Sequence, residues 1–181
     1  RKEVSDLTQA SGARQVLKPG PQYKGKIWSR HLDDRWAADI ISYVSHPAKR
    51  ADKTYSYILV AQDIFSRLVF AIPMVSTSEA PHLFEEILEK AERTPGELST
   101  DKDPVFASEA FQNILETFDI RWNPKRGLQD LATVDRAIGS LKAALGRVEA
   151  EGGGDWLEEL GDTVAGMNKS ERKYLEGKAA N

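Results

Sequence analysis

The chain has 181 residues, of which 40% are hydrophobic and 29% are charged, so it is long enough to bury one globular core with short appendages. It contains no cysteine, which excludes disulfide bonds and cysteine-containing zinc sites, and its three histidines form no His-x-x-x-His pair. No apolar run approaches the roughly 20 residues that cross a bilayer, so we expect no membrane partner.

The net charge of −3 argues against a uniformly basic, nucleic-acid-binding surface, but the charges are unevenly distributed. Residues 149–162 carry six acidic side chains and no basic one. Residues 121–147 carry six basic side chains and only two acidic ones. The second segment therefore predicts a local positive field in a chain that is acidic as a whole.

The first half of the chain predicts an arm followed by strands. Residues 1–29 are polar and contain a Pro-Gly-Pro break, which indicates an arm or linker. Residues 35–45 form a compact apolar run, typical of a strand buried on both faces, and residues 46–53 predict a turn. Residues 54–62 and 68–74 predict two more strands that form an antiparallel hairpin.

The second half alternates helices with short strands. Ser78 is predicted to cap a helix that ends near Glu92, and Ser108 to cap a second helix. Short strands are predicted at residues 97–100 and 119–122, and the latter leads into a loop over residues 123–130.

Two more helices complete the predicted order. The clearest periodicity belongs to the first of them, with an apolar stripe of Val134, Ile138, Leu141, Leu145 and Val148. Asp155 is predicted to cap the last helix, which gives way to a polar tail from Asn168. This order indicates an α/β fold with a mixed sheet between helices, in which residues 30–150 form the core and residues 151–181 complete it.

Three aspartates lie where a carboxylate is well placed for chemistry. Asp39 interrupts the most apolar strand, where an ionised carboxylate is costly unless a cation compensates it. Asp101 directly follows a short strand, and Asp135 lies in the first turn of the striped helix. If the three converge, their repulsion favours a divalent cation, and hard oxygen donors favour Mg²⁺ or Mn²⁺. Taken singly, each also fits an ordinary role as a hydrogen-bonded strand, turn or helix residue.

The order of several motifs adds a family resemblance. Trp36-Ala-Ala-Asp39-Ile resembles the W-x-x-D strand that opens the catalytic core of retroviral and retrotransposon integrases. Four later segments are similar to motifs of the same family in the same order: Tyr57 to Pro73 (its Asp-x-Phe-Ser-Arg hairpin), Ser99 to Phe106, Val134 to Lys142, and Gly166 to Asn168. The resemblance covers roughly residues 27–178.

The resemblance implies a ribonuclease-H-like mixed five-stranded sheet flanked by helices, and metal-dependent 3′-end processing and strand transfer of DNA. It implies that Asp39, Asp101 and Asp135 are catalytic and hold two Mg²⁺ or Mn²⁺ ions, with Asp39 bridging them. The residues expected to contact DNA are Lys125, Arg126, Arg136 and Lys142. The implied partners are element ends, target DNA and further copies of the chain in a homodimer or higher oligomer. The implied location is the nucleus or a viral or retroelement particle.

The chain also departs from the family pattern. Asp135 stands where the family has glutamate, Asp103 and Val105 replace a glycine and a glutamate, and Ile138 replaces an asparagine. These departures favour an alternative, a catalytically impaired or domesticated core that binds DNA or protein. A second alternative is another nuclease of ribonuclease-H-like fold.

Overall fold

The computed structural model describes residues 29–125 and 132–179, with side chains as far as residue 169. The predicted arm, Arg126 and most of the loop before the striped helix lie outside the described residues. The strands are β1 (Trp36–Ser42), β2 (Ala48–Arg50), β3 (Lys53–Tyr55), β4 (Tyr57–Asp63), β5 (Val69–Met74), β6 (Glu97–Thr100) and β7 (Arg121–Pro124). The helices are α1 (Ala80–Ala91), α2 (Glu109–Thr117), α3 (Ala132–Ala150) and α4 (Trp156–Ala179).

The main sheet has five strands in the order β5-β4-β1-β6-β7. The central strand β1 pairs antiparallel with β4 and parallel with β6, and β6 pairs parallel with β7. The mixed five-stranded sheet flanked by helices is therefore confirmed. Because β1 and β6 run parallel with Ala38 opposite Thr100, the residue that follows β6 lies beside the middle of β1.

The core consists of two apolar layers, one on each face of the sheet. Side chains alternate along β1, so Trp36 and Ala38 face α1 and α2, whereas Ala37 and Ile41 face α3 and α4. The predicted stripe of α3 packs into the second layer, with Val134, Ile138, Leu141 and Leu145 buried. Each such side chain stabilises the fold by about 1.5–3 kcal/mol. Within residues 29–125 and 132–179, no helix is both long and apolar enough to span a membrane.

The turn predicted at residues 46–53 and the start of the strand predicted at residues 54–62 are wrong in part, because β2 and β3 form a separate two-stranded ribbon there. Ala51 adopts a left-handed conformation (φ 51°) between the two strands. Ala48 and Tyr55 pair across the ribbon and pack on the core, while the remaining side chains are mostly exposed. Only one side chain of each three-residue strand faces the core, so the sequence shows no alternation that would reveal them.

The start of the first helix and the bounds of the last strand also differ from the predictions. Ser78 does not cap α1, because Ser76 caps a short 3₁₀ turn (Thr77–Glu79) and α1 begins at Ala80. Pro81 lies in the first turn of α1, which is the part of a helix that tolerates proline. The last strand lies at Arg121–Pro124 instead of residues 119–122, since Asp119 is left-handed (φ 53°) at the end of α2. The caps predicted at Ser108 and Asp155 are confirmed.

The polar tail predicted from Asn168 is helical, because α4 continues to Ala179. Asn168 itself binds the outer edge of the sheet. The Val69 backbone N–H donates to Asn168 Oδ1 at 2.8 Å, and Asn168 Nδ2 donates to the Val69 carbonyl at 2.8 Å. The side-chain amide thus occupies both backbone groups of one residue on edge strand β5, as a neighbouring strand would.

Candidate functional site

Strand register places two of the predicted acids side by side. Ala38 pairs with Thr100 in the parallel β1–β6 ladder, so the next residues, Asp39 and Asp101, occupy neighbouring positions on one face of the sheet. Adjacent strands lie about 4.8 Å apart, which sets the backbone separation of the two acids. The face is that of Ala37 and Ile41, over which α3 packs.

Asp39 carries the electrostatic signature of this cluster. Its pKa is raised to about 6 in total; burial is the largest cause, and the hydrogen bond that the Ile40 N–H donates to its Oδ1 at 2.8 Å opposes the rise. The negative charges of Asp101 and Asp135 raise the pKa of Asp39 further, and the positive charge of Lys125 lowers it. The charges of Asp101 and Asp135 are therefore both felt at the Asp39 carboxylate.

Asp135 approaches from the helix layer. It lies in the first turn of α3 and is exposed, while its neighbour Val134 is fully buried and fixes that turn against the sheet. Asp101 is held by its own loop, because its Oδ1 accepts a hydrogen bond from the Asp103 N–H at 2.9 Å. Two acids are thus set by the sheet and its following turn, and the third by a helix.

The carboxylate ligands suit a divalent cation, but the described residues do not form a complete metal-binding site. Carboxylate oxygens are the ligands that Mg²⁺ and Mn²⁺ prefer, and a raised carboxylate pKa marks a place where a cation is favoured. Among the residues that the structure describes, however, no group of three or more His, Cys, Asp or Glu side chains is placed to hold a metal ion. The strand register brings Asp101 next to Asp39, and Asp135 contributes its charge from the first turn of α3.

The basic residues predicted to contact DNA are placed differently from one another. Lys125 directly follows β7 and lies in the same cross-strand row as Asp39 and Asp101. Lys142 is exposed on α3, seven residues after Asp135 and hence roughly 10 Å along the helix axis on nearly the same side. Arg136 directly follows Asp135 in α3 and is exposed. Arg126 lies outside the described residues.

A fourth aspartate in the motif pattern, Asp63, has a structural role. It is fully buried at the end of β4, and it accepts hydrogen bonds from the Phe65 and Ser66 N–H groups and from the Ser66 hydroxyl. Arg93 donates to Asp63 at 2.8 Å and also to Asp33, and it lies over the Trp36 ring at 5.5 Å. Asp33 and Asp63 raise the pKa of Arg93 by hydrogen bonding and charge, against the lowering effect of burial. Sequence reasoning missed Arg93, since it lies between elements and in no recognisable motif.

On the face that carries Asp39, strands β6 and β7 bear a polar network. Glu97 accepts hydrogen bonds from Asn123 at 2.7 Å and Arg121 at 2.8 Å, and it forms an ion pair with Arg35 at 3.0 Å. Burial raises the pKa of Glu97, but its bonds to Asn123 and Arg121 and the charge of Arg35 outweigh burial, so the net shift is downward. Polar side chains at alternate positions of residues 97–101 and 121–125 were the sequence feature that could have predicted this polar face.

The family of the chain follows from comparison with known proteins. The model of the Integrase core domain family matches residues 30–127, which is more than half of the chain. The chain therefore belongs to the integrase core domain family, and it is of the retroviral type.

Individual relatives agree with this assignment. The chain is 27% identical over 165 residues to the Gag-Pol polyprotein of avian reticuloendotheliosis virus, covering 86% of this chain and 14% of the polyprotein. It resembles a chain of the simian T-cell lymphotropic virus intasome in complex with PP2A regulatory subunit B56 gamma, with 25% identity and a TM-score of 0.58 over 81% of this chain and 57% of that one. The magnesium complex of the HTLV-2 integrase catalytic core domain, in its trimeric form, shares the fold at 18% identity and a TM-score of 0.56, over 73% of this chain and 82% of that one.

Proposed function

We propose that the chain is a catalytic core that processes the 3′ ends of element DNA and joins them to target DNA. The observation that carries this proposal is the cluster around Asp39, where register sets Asp101 alongside and the charges of Asp101 and Asp135 raise the pKa of Asp39. Membership of the integrase core family supports this chemistry over that of other ribonuclease-H-like nucleases.

In the proposed mechanism, Asp39, Asp101 and Asp135 would be the residues that hold Mg²⁺ or Mn²⁺. When bound, the ions supply activation of water or a DNA 3′-hydroxyl and stabilisation of the leaving oxygen. The residues of the chain position the phosphate and offset its charge, because in-line phosphoryl transfer needs no nucleophilic side chain. Lys125, Arg126, Arg136 and Lys142 are proposed to contact DNA phosphates.

A homodimer or higher oligomer is part of the proposal, because similar integrases are described in dimeric, trimeric and intasome forms. We propose that this assembly works in a viral or retroelement particle and in the nucleus. The chain spans 14% of the Gag-Pol relative, so the flanking parts of a complete protein would add contacts of their own.

A test of the function is strand transfer by the full chain in Mn²⁺ or Mg²⁺, with labelled DNA that carries matched or mismatched ends. We expect joined product that disappears in Asp39→Asn and Asp101→Asn and persists in Asp162→Asn, a matched loss of charge on the exposed side of α4. Calorimetric titration with Mn²⁺ is a second readout, and the two inactive variants should lose the binding. A wild-type chain that neither binds Mn²⁺ nor joins DNA would refute the enzymatic proposal.

A second candidate is a DNA-binding core that has lost catalysis. It is favoured by one observation, the exposure of Asp135 together with the lack of a three-acid metal cluster among the described residues. DNA binding with no metal-dependent product, and with no effect of Asp39→Asn on binding in EDTA, would establish this alternative.

A further inference from the structure

Lys125 occupies a position that the backbone fixes. The parallel β6–β7 ladder pairs Thr100 with Pro124, and the Lys125 N–H extends it by donating to the Thr100 carbonyl at 2.8 Å. Lys125 therefore lies beside Asp101 in the row that begins at Asp39. Adjacent strands are about 4.8 Å apart, so the Lys125 backbone lies within side-chain reach of both acids.

The charge of Lys125 is not neutralised by an ion pair. The side chain is half-buried, and it forms no salt bridge within 4.0 Å to any acid in the part of the chain that the structure describes. Arg121, four residues earlier and on the same face of β7, differs because Glu97 binds it at 2.8 Å. Among the described residues, Arg121 is thus paired with an acid of the protein, whereas Lys125 is not.

We propose that Lys125 is a positioning residue, whose ammonium binds a non-bridging oxygen of the DNA phosphate that enters the Asp39–Asp101 pair. This inference rests on the proposed function and assigns the task to a single side chain. A lysine ammonium serves phosphate as a compact point charge, and the backbone position of Lys125, directly after β7, keeps that charge within reach of the two acids. Lys142, on an exposed helix face, has no comparable relation to the described acids.

The position of Lys125 has a second effect, on the metal ions. A fixed positive charge next to two carboxylates opposes the approach of a divalent cation and favours the approach of a phosphate. Loss of the ammonium should therefore weaken DNA binding and strengthen metal binding. A lysine with a purely structural role would not move these two affinities in opposite directions.

The test uses the full chain with Lys125→Gln, Lys125→Arg and the control Lys102→Gln. Lys102 is exposed in the loop after Asp101, so its substitution removes the same charge close by in sequence. Fluorescence anisotropy with a frayed-end DNA duplex in EDTA measures binding over a salt series, and calorimetric titration with Mn²⁺ measures metal affinity without DNA.

We expect Lys125→Gln to lower the salt slope by about 0.9, which is roughly eight-fold in affinity near 0.1 M salt, and to tighten Mn²⁺ binding. Lys125→Arg should restore the DNA affinity, and Lys102→Gln should change neither quantity by more than about two-fold. The proposal is overturned if Lys125→Gln binds DNA with wild-type affinity and slope, or if its effect equals that of Lys102→Gln. These outcomes are separate from the proposed function, whose failure is the absence of strand transfer and Mn²⁺ binding in the wild-type chain.

Discussion

The fold places the Asp39 carboxylate in surroundings that disfavour its ionised form. Burial and the neighbouring charges of Asp101 and Asp135 raise its pKa to about 6, although Lys125 and the Ile40 N–H act in the other direction. The folded chain thus binds a proton more tightly than the unfolded chain between about pH 4 and pH 6. The contribution of Asp39 to stability therefore falls as the pH rises through that range, which is the cost of keeping this carboxylate ionised at neutral pH.

We predict that Asp39→Asn raises the stability of the metal-free protein at pH 7 while abolishing metal-dependent joining. The gain should be about 1–2 kcal/mol after allowance for partial exposure of the carboxyl group, and it should vanish below about pH 4, where wild-type Asp39 is protonated. Urea denaturation in EDTA at both pH values measures it. Equal stability of the two proteins at pH 7 would contradict the raised pKa.

Asp135 is the acid for which side-chain length should matter most. It is exposed, and the described residues form no three-acid metal cluster, so we expect a longer acidic side chain at this position to complete the metal site. We predict that Asp135→Glu, which adds about 1.5 Å of reach, tightens Mn²⁺ binding and increases joining.

Asp135→Asn should weaken both Mn²⁺ binding and joining, because the charge that attracts the second ion is lost. Calorimetry and strand transfer provide the two measurements. A decrease in both with Asp135→Glu would show that α3 already sits close enough. Full activity in Asp135→Asn would instead point to Asp103 or to Asp130, which lies outside the described residues.

The placement of Asp39 in a buried strand, of Asp101 after a strand and of Asp135 in a first helical turn could be predicted from local pattern alone. The alignment of Lys125 with the acids could not. The last strand was predicted two residues too early, which left Lys125 in a loop. The left-handed Asp119 delays the strand, and such backbone choices depend on how α2 ends against the sheet.

At the scale of elements, long and strongly periodic segments were predictable and short ones were not. The stripe of α3 and the β4–β5 hairpin were correct because each carries its own periodicity. The segment that leads into the β2–β3 ribbon contacts a distant helix instead: Tyr43 stacks on Trp156 at 4.7 Å, and Trp156 Nε1 donates to the His46 carbonyl at 2.9 Å. Contacts between residues more than 100 positions apart cannot be predicted from a local sequence pattern.

The bond between α4 and edge strand β5 can be tested directly. Asn168→Ala should destabilise the chain by about 1–2 kcal/mol, because Val69 loses partners for both of its backbone groups. Lys169→Ala, at the exposed neighbouring position, should stay within about 0.5 kcal/mol of wild type. Urea denaturation compares the three proteins, and equal midpoints for both variants would show that water satisfies Val69 equally well.

For the molecule as a whole, the net charge of −3 limits any affinity for DNA to local patches. We predict weak DNA binding that falls steeply with salt, because the described basic residues near the acids allow only a few phosphate contacts. Anisotropy between about 50 and 200 mM salt should show at least a ten-fold loss. An affinity that does not change over that range would show that this surface is not a DNA groove.

The register of β6 governs whether the site exists at all. This strand has four residues, and three pairs join it to β1. Deletion of Glu97 would shift the rest of β6 by one position and move Asp101 to the face of α1 and α2, since side chains alternate along a strand. All three acids would remain in such a gene, and the fully buried Leu98 would be turned out of its layer. The loss of a single codon could thus inactivate the protein although its sequence would still contain all three acidic motifs.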